Sequence, residues 1–211
     1  MLFKETISQD ALELLERIMN DNAFKDFALV GGTALSLLLG HRISIDLDLF
    51  SKNPFSQDQL ADHLRINYKF ELDFIALNTL KGEINGIKLD ILSHQYKWID
   101  GFSVTEHLRL AGLKDLAAMK LNAVSGNGTR LKDFIDIAFL SGRMSFTQML
   151  EAYEIKYESN PVIPLKAITY FDDILFDEPI KMTGNRPFDW KLIEQRLLQM
   201  QQNPDKIFEM L

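Results

Sequence analysis

Two kinds of hydrophobic spacing divide the chain near residue 100. Leu12, Leu15, Ile18 and Met19 recur at helical intervals behind Ser8, whose hydroxyl suits an N-cap, so a helix is predicted to about Asn20. Phe27 to Val30 is a short apolar strand broken by Gly31-Gly32, and Thr33 to Leu39 reads as a helix closed by Gly40. Ser44 to Phe50 alternates as a second strand and Gln57 to Ile66 is helical. Phe70 to Leu77, Leu80 to Ile84 and Ile87 to Leu92 are three more strands. Asn85-Gly86 fits a type I′ hairpin turn, which needs positive φ at both central residues. Beyond Gly101 the spacing turns helical: about Leu113 to Val124, Leu131 to Leu140, Phe146 to Tyr157, Pro164 to Phe176 and Phe188 to Gln201. Loops fall at Gly126-Asn127-Gly128 and Gly184-Asn185-Arg186-Pro187. The expected fold class is α+β, with an α/β core over residues 1–100 and a helical lobe over residues 101–211 packed on it.

Composition then narrows the function classes. Hydrophobic residues at 46% and charged residues at 25% exclude wholesale disorder. No apolar stretch reaches the ~20 residues of a spanning helix. The opening Met1-Leu2-Phe3-Lys4-Glu5-Thr6 lacks the plan of a secretory signal, so a cytoplasmic chain that starts here, with no membrane anchor, is expected. Zero cysteines remove disulfides, thiolate zinc and cysteine nucleophiles. His41, His63, His94 and His107 have no ligand spacing and read as surface or satisfied core residues. A net charge of −7 argues against a general nucleic-acid coat while allowing a local basic patch.

Candidate chemistry gathers on a few strands and helices. Period-2 geometry puts Ile45, Leu47 and Leu49 on one face and Ser44, Asp46 and Asp48 on the other. Two carboxylates facing one way repel, and a hard cation such as Mg²⁺, completed by water and substrate phosphates, would relieve them. The same pattern also describes the solvated outer face of a half-buried strand. Asp90, beside Lys88 on the polar face of the next such strand, would be a third carboxylate, and Asp73 is its weaker rival. Gly31-Gly32-Thr33 opening a helix offers backbone N–H groups to an anion, although any sharp strand-to-helix turn also wants glycine. Lys120 falls inside the apolar stripe of Leu113, Leu116, Ala117 and Val124, so its stem either snorkels to water or its ammonium reaches a phosphate or carboxylate. Asp133 and Asp136 share a polar helix face that reads first as solvated, with an Arg130–Asp133 pair; Arg42 is either a phosphate ligand or a surface charge.

Together, Gly31-Gly32-Thr33-Ala34-Leu35 and Arg42-Ile43-Ser44-Ile45-Asp46-Leu47-Asp48-Leu49-Phe50 resemble the nucleotidyltransferase superfamily with a DNA-polymerase-β-like fold. More narrowly, the chain resembles the AbiEii/AbiGii toxin family of prokaryotic toxin–antitoxin and abortive-infection systems. Lys120, Asp90 and Lys132-Asp133-Phe134-Ile135-Asp136 match that family's helical lysine, strand aspartate and Lys-Asp-x-x-Asp helix. The resemblance spans about residues 28–140. It implies metal binding by Asp46, Asp48 and Asp90, with Asp90 alternatively a base. It further implies nucleotide binding by Gly31, Gly32, Thr33, Arg42 and Ser44, charge neutralisation by Lys120, and helix ordering or proton transfer by Asp133 and Asp136. The implied reaction is transfer of NMP from an NTP, with Mg²⁺ or Mn²⁺, to a hydroxyl of RNA such as tRNA or of a protein, by the toxin component of a pair with a cognate antitoxin. The rivals are an antibiotic adenylyltransferase, a haloacid-dehalogenase-type phosphatase, disfavoured by Leu49-Phe50, and an inactive nucleotide-binding regulator.

Overall fold

One seven-stranded sheet organises the chain. The computed structural model describes the backbone of residues 1–211 and every side chain except that of Asn185. The strands are β1 (Phe27–Leu29), β2 (Leu47–Ser51), β3 (Glu71–Ala76), β4 (Thr79–Ile84), β5 (Ile87–Ser93), β6 (Phe102–Thr105) and β7 (Leu108–Ala111), in the spatial order β3-β4-β5-β2-β1-β7-β6. The sheet is mixed: β2 runs parallel to β5 and β1 to β7, and the other pairs are antiparallel. The helices are α1 (Gln9–Asn20), α2 (Gly31–Leu39), α3 (Gln57–Tyr68), α4 (Leu113–Gly126), α5 (Leu131–Leu140), α6 (Phe146–Tyr157), α7 (Val162–Ala167) and α8 (Trp190–Gln202). None of the described helices is long and apolar enough to cross a membrane.

Most local signals act as their chemistry dictates. The Ser8 hydroxyl accepts the Ala11 N–H and starts α1, and Gly40 ends α2 in the left-handed region at φ 68°. Asn85 and Gly86 both take positive φ, 51° and 78°, and join β4 to β5 as a tight hairpin. Leu29, Leu35, Leu47, Leu49, Leu89 and Ile91 are fully buried, so the inner sheet face and α2 share one core.

Three expectations change. β6 and β7 lie past residue 100 and extend the sheet beyond β1, so the shift from strand to helix comes at Gly112. Their turn, Glu106-His107, holds φ of 50° and 69° without a glycine, which hid it from a reading by residue type. The second strand begins at Leu47, because the segment before it bonds elsewhere: Ile43 N–H to the Lys181 carbonyl (2.8 Å) and Ser44 N–H to the Thr6 carbonyl (2.9 Å). Ile45 is consequently 60% exposed instead of inward. The helix expected from Pro164 to Phe176 stops at Ala167. Beyond it Leu175 N–H pairs with the Thr129 carbonyl, and Phe171 packs edge-on against Phe134 and Trp190. The loop expected at Gly184 to Pro187 includes Asn185, whose side chain lies outside the described residues.

A buried ion pair joins α4 to α6 beside the sheet. Asp115 accepts N–H bonds from Ile99, Asp100 and Gly101 and pairs with Lys156 at 2.8 Å, while the Lys156 ammonium also donates to the Lys97 carbonyl and sits 4.2 Å over the Trp98 ring. The loop from β5 to β6 is thereby anchored to α4 and α6.

Candidate active site

Gly31 and Asp48 meet at close quarters. The turn from β1 into α2 needs φ of +68° at Gly31, and a Cβ there would stand 2.2 Å from Asp48 Oδ2. A Cβ on Gly32 would stand 2.3 Å from Arg42 Nη2. The paired glycines let a carboxylate and a guanidinium press against the start of α2, which has no side-chain cap. Gly31, Gly32 and Thr33 line a cavity of about 700 Å³, with Arg42, Ser44, Asp46, Asp48, Asp90, Lys120 and Asp133 around it. Thr33 and Ser44 are partners, with their hydroxyl oxygens 2.9 Å apart, and Thr33 also donates to the Asp46 carbonyl. Their hydroxyls brace the segment that carries Asp46.

Asp48 and Asp90 are direct cross-strand partners on β2 and β5. Burial, with Asp90 and Asp46 adding to it against the opposing pull of Lys120, pushes the Asp48 carboxyl up to about 6. Asp90 has its own cation: Lys81 on β4 lies 2.6 Å away. The described residues hold no group of three or more acidic or histidine side chains gathered closely enough to form a metal site unaided. Asp46 and Asp48 still fit Mg²⁺ or Mn²⁺, because such ions use one or two carboxylates and take the remaining ligands from water and substrate phosphates. Asp73 lies at an irregularity in the pairing of edge strand β3, is exposed, and does not line the cavity.

Asp133 and Asp136 depart from the solvated face read from spacing, whereas Lys120, read as pointing inward, does reach carboxylates. All three are buried, and Lys120 bridges Asp133 at 2.6 Å and Asp136 at 2.7 Å. Asp136 also takes a two-pronged pair from Arg42, Nε at 2.7 Å and Nη2 at 2.9 Å, and His41 Nε2 at 2.8 Å. Burial alone would raise this carboxyl, but Arg42 and Lys120 outweigh it and hold Asp136 well below the usual range. Arg42 is therefore paired within the protein and is not a surface charge. Asp136 does not line the cavity; Asp133 does, and its Oδ2 is buried without a hydrogen-bond partner. The Arg130–Asp133 salt bridge expected from spacing does not form.

Four further cations line the cavity. Lys88, Arg130 and Lys181 line it and make no ion pair among the described residues, and Lys132 lines it while pairing with Glu178. Cations outnumber carboxylates six to four around the cavity of a chain whose net charge is −7, so the local field favours anions. His94, Tyr96 and Tyr157 also line the cavity. Burial and the nearby Lys156 push His94 down to about 4.

The unfolded chain thus takes up a proton on residue 94 from about pH 6.5 downward while the folded chain resists until about 4. Stability should fall by about 1–2 kcal/mol across that window, after discounting a partly exposed ring for solvent screening. Denaturant melts at pH 7.5 and 4.5 check it: His94→Phe should lose that much less than the parent, and equal losses would refute it.

Residues 13–105 match the family model described as the nucleotidyl transferase AbiEii toxin of type IV toxin–antitoxin systems. The chain is 28% identical over 174 residues to an uncharacterized protein from Aquifex aeolicus (strain VF5), which takes in 79% of this chain and 84% of that protein. A crystal structure of a proposed nucleotidyltransferase from H. pylori is similar with a TM-score of 0.59 at 20% identity, covering 94% of this chain and 96% of that one. JHP933 from Helicobacter pylori is similar with a TM-score of 0.54 at 19% identity, covering 94% and 93%. These two share the fold. The family match takes in the Gly-Gly turn, the Asp-x-Asp segment and Asp90, so residues 13–105 of this chain are similar to the nucleotidyltransferases of the AbiEii toxin family.

Proposed function

We propose that the cavity transfers NMP from an NTP to a hydroxyl of an RNA such as tRNA, as the toxin component of a pair with a cognate antitoxin. The observation that carries this reading is the contact of Asp48 with the uncapped Gly31-Gly32 turn, which sets a carboxylate pair beside backbone N–H groups suited to phosphates. Asp46 and Asp48 would hold Mg²⁺ or Mn²⁺, whose chemistry when bound is to neutralise phosphate charge and stabilise the departing oxygen. The acceptor oxygen forms its bond to the α-phosphorus as the bond to pyrophosphate breaks. Asp133, which lines the cavity and whose Oδ2 has no hydrogen-bond partner, would take the hydroxyl proton, and Lys88, Arg130 and Lys181 would hold the phosphates and the acceptor backbone. Asp90 is tied to Lys81, which supports a charge-setting role over that of base. Asp136, with Arg42 and Lys120, would order α5 and the Asp46 segment rather than touch substrate. The core and the helical region would then act as one unit, with α4 and α5 supplying half of the site.

The unpaired rim cations favour RNA over protein as acceptor. Wild-type protein incubated with each α-labelled NTP, Mg²⁺ or Mn²⁺ and cell extract should place label in RNA, and chelation should stop it. Label in protein or in a small molecule would reassign the acceptor, and absence of any metal-dependent nucleotide binding would overturn the reading.

A further inference from the structure

The cavity has two chemically different halves. One is ionic and carries the carboxylates. The other is a wall of rings: His94 stacks on Phe50 at 5.3 Å with an interplanar angle of 28°, and Tyr96 lies 5.0 Å from His94 and 4.9 Å from Tyr157. All four rings line the cavity, and none is paired with a carboxylate. Tyr96 is 55% exposed, a large apolar surface left in water. It sits on the β5-to-β6 loop that Asp115 and Lys156 anchor, so little further ordering is needed for something to lie against it.

Register fixes how the halves relate. Asp48 and Phe50 share a face of β2, opposite Asp90 and Leu92 of β5. His94 continues β5, with its N–H bonded to the Ser51 carbonyl at 2.8 Å, so ring and carboxylate stand four residues apart, about 13 Å at ~3.3 Å per strand residue. A ribose with its phosphates can bridge that gap.

We infer that the wall of Tyr96, Tyr157 and His94 is a nucleobase-stacking subsite, seating a base whose phosphates reach toward the Gly31-Gly32 turn. This rests on the transferase reading above and adds the group it recognises. Stacking on aromatic side chains tolerates every base, because each has a π-face. The base belongs either to the incoming NTP or to the end of an RNA acceptor.

The test titrates the full chain, with Mg²⁺, against each NTP, against inorganic tripolyphosphate and against a short unstructured oligoribonucleotide, in wild type, Tyr96→Leu and Tyr96→Phe. Circular dichroism should show all three folded, since the ring is exposed. Tyr96→Leu should raise the Kd of at least one NTP about tenfold, Tyr96→Phe should restore it, and tripolyphosphate should bind all three alike. The same pattern confined to the oligoribonucleotide would assign the base to the acceptor. Unchanged Kd values throughout, or an equal loss for tripolyphosphate, would overturn the subsite while leaving the transferase reading intact. Wild-type protein that binds none of the probes would overturn both.

Discussion

Asp48→Asn should abolish transfer while making the protein harder to unfold. The carboxylate lies against the Gly31 turn with Asp90 across the strand pair and Asp46 two residues before it, and it supplies charge that a neutral amide lacks. Loss of an anionic group that helps to hold a catalytic cation is expected to lower kcat/KM about 10³-fold or more, or ~4 kcal/mol of transition-state stabilisation. Stability moves the other way. With the Asp48 carboxyl raised from 3.8 to about 6, the folded state gains when this group is protonated. That gain is whole below about pH 3.8 and is lost as pH rises through 6. At pH 7.5, without metal, the parent bears the whole cost, about 1–2 kcal/mol after allowance for solvent screening, and the Asn variant escapes it. Thermal melts at pH 7.5 and 4 beside a label-transfer assay decide the matter. A variant that melts lower at pH 7.5, or that retains transfer, would refute this account of Asp48.

Asp136→Asn is expected to act on the fold first. The residue is fully buried and bonded to Arg42, Lys120 and His41, so removing its charge takes a partner from two buried cations: Lys120 keeps Asp133, and Arg42 is left with no carboxylate. Breaking a buried pair from one side costs ~3–5 kcal/mol. For a domain of this size that corresponds to a Tm lower by about 6–20 °C. The double variant Arg42→Met with Asp136→Leu should recover much of the loss, since apolar replacement of a whole buried pair is often neutral. A soluble Asp136→Asn protein with unchanged Tm and no transfer would instead place Asp136 in the chemistry.

Much of the site was legible because it depends on local rules. Gly31-Gly32 at a strand end, alternation through Leu47-Asp48-Leu49 and the Asn85-Gly86 hairpin each follow from backbone geometry, and the structure places all three as that geometry requires. The partner of Asp90 was legible as well: counting outward from Asn85-Gly86 pairs Ile84 with Ile87 and, three steps on, Lys81 with Asp90. The burial of Asp133 and Asp136 was not. Their helix face looks solvated by spacing alone, and the approach of Lys120 and of Arg42, the latter 94 residues before Asp136, turns it into a buried ion cluster. The ring wall is equally non-local, since Phe50, His94, Tyr96 and Tyr157 come from a strand, a loop and the end of α6. The same holds for Lys181, in a segment with no periodic pattern of its own.

Residues 40–43 are clamped by residues 181–183. Arg42 bridges Met182, and the Thr183 hydroxyl bonds the carbonyls of Gly40 and His41, the latter across 142 positions of sequence. This orders events at the ribosome. At ~5–20 residues per second, translation needs roughly 7–28 s to supply the far side of that clamp after the near side has been made. A nascent chain therefore carries both acidic residues of its Asp-x-Asp segment well before it has the frame that aims them.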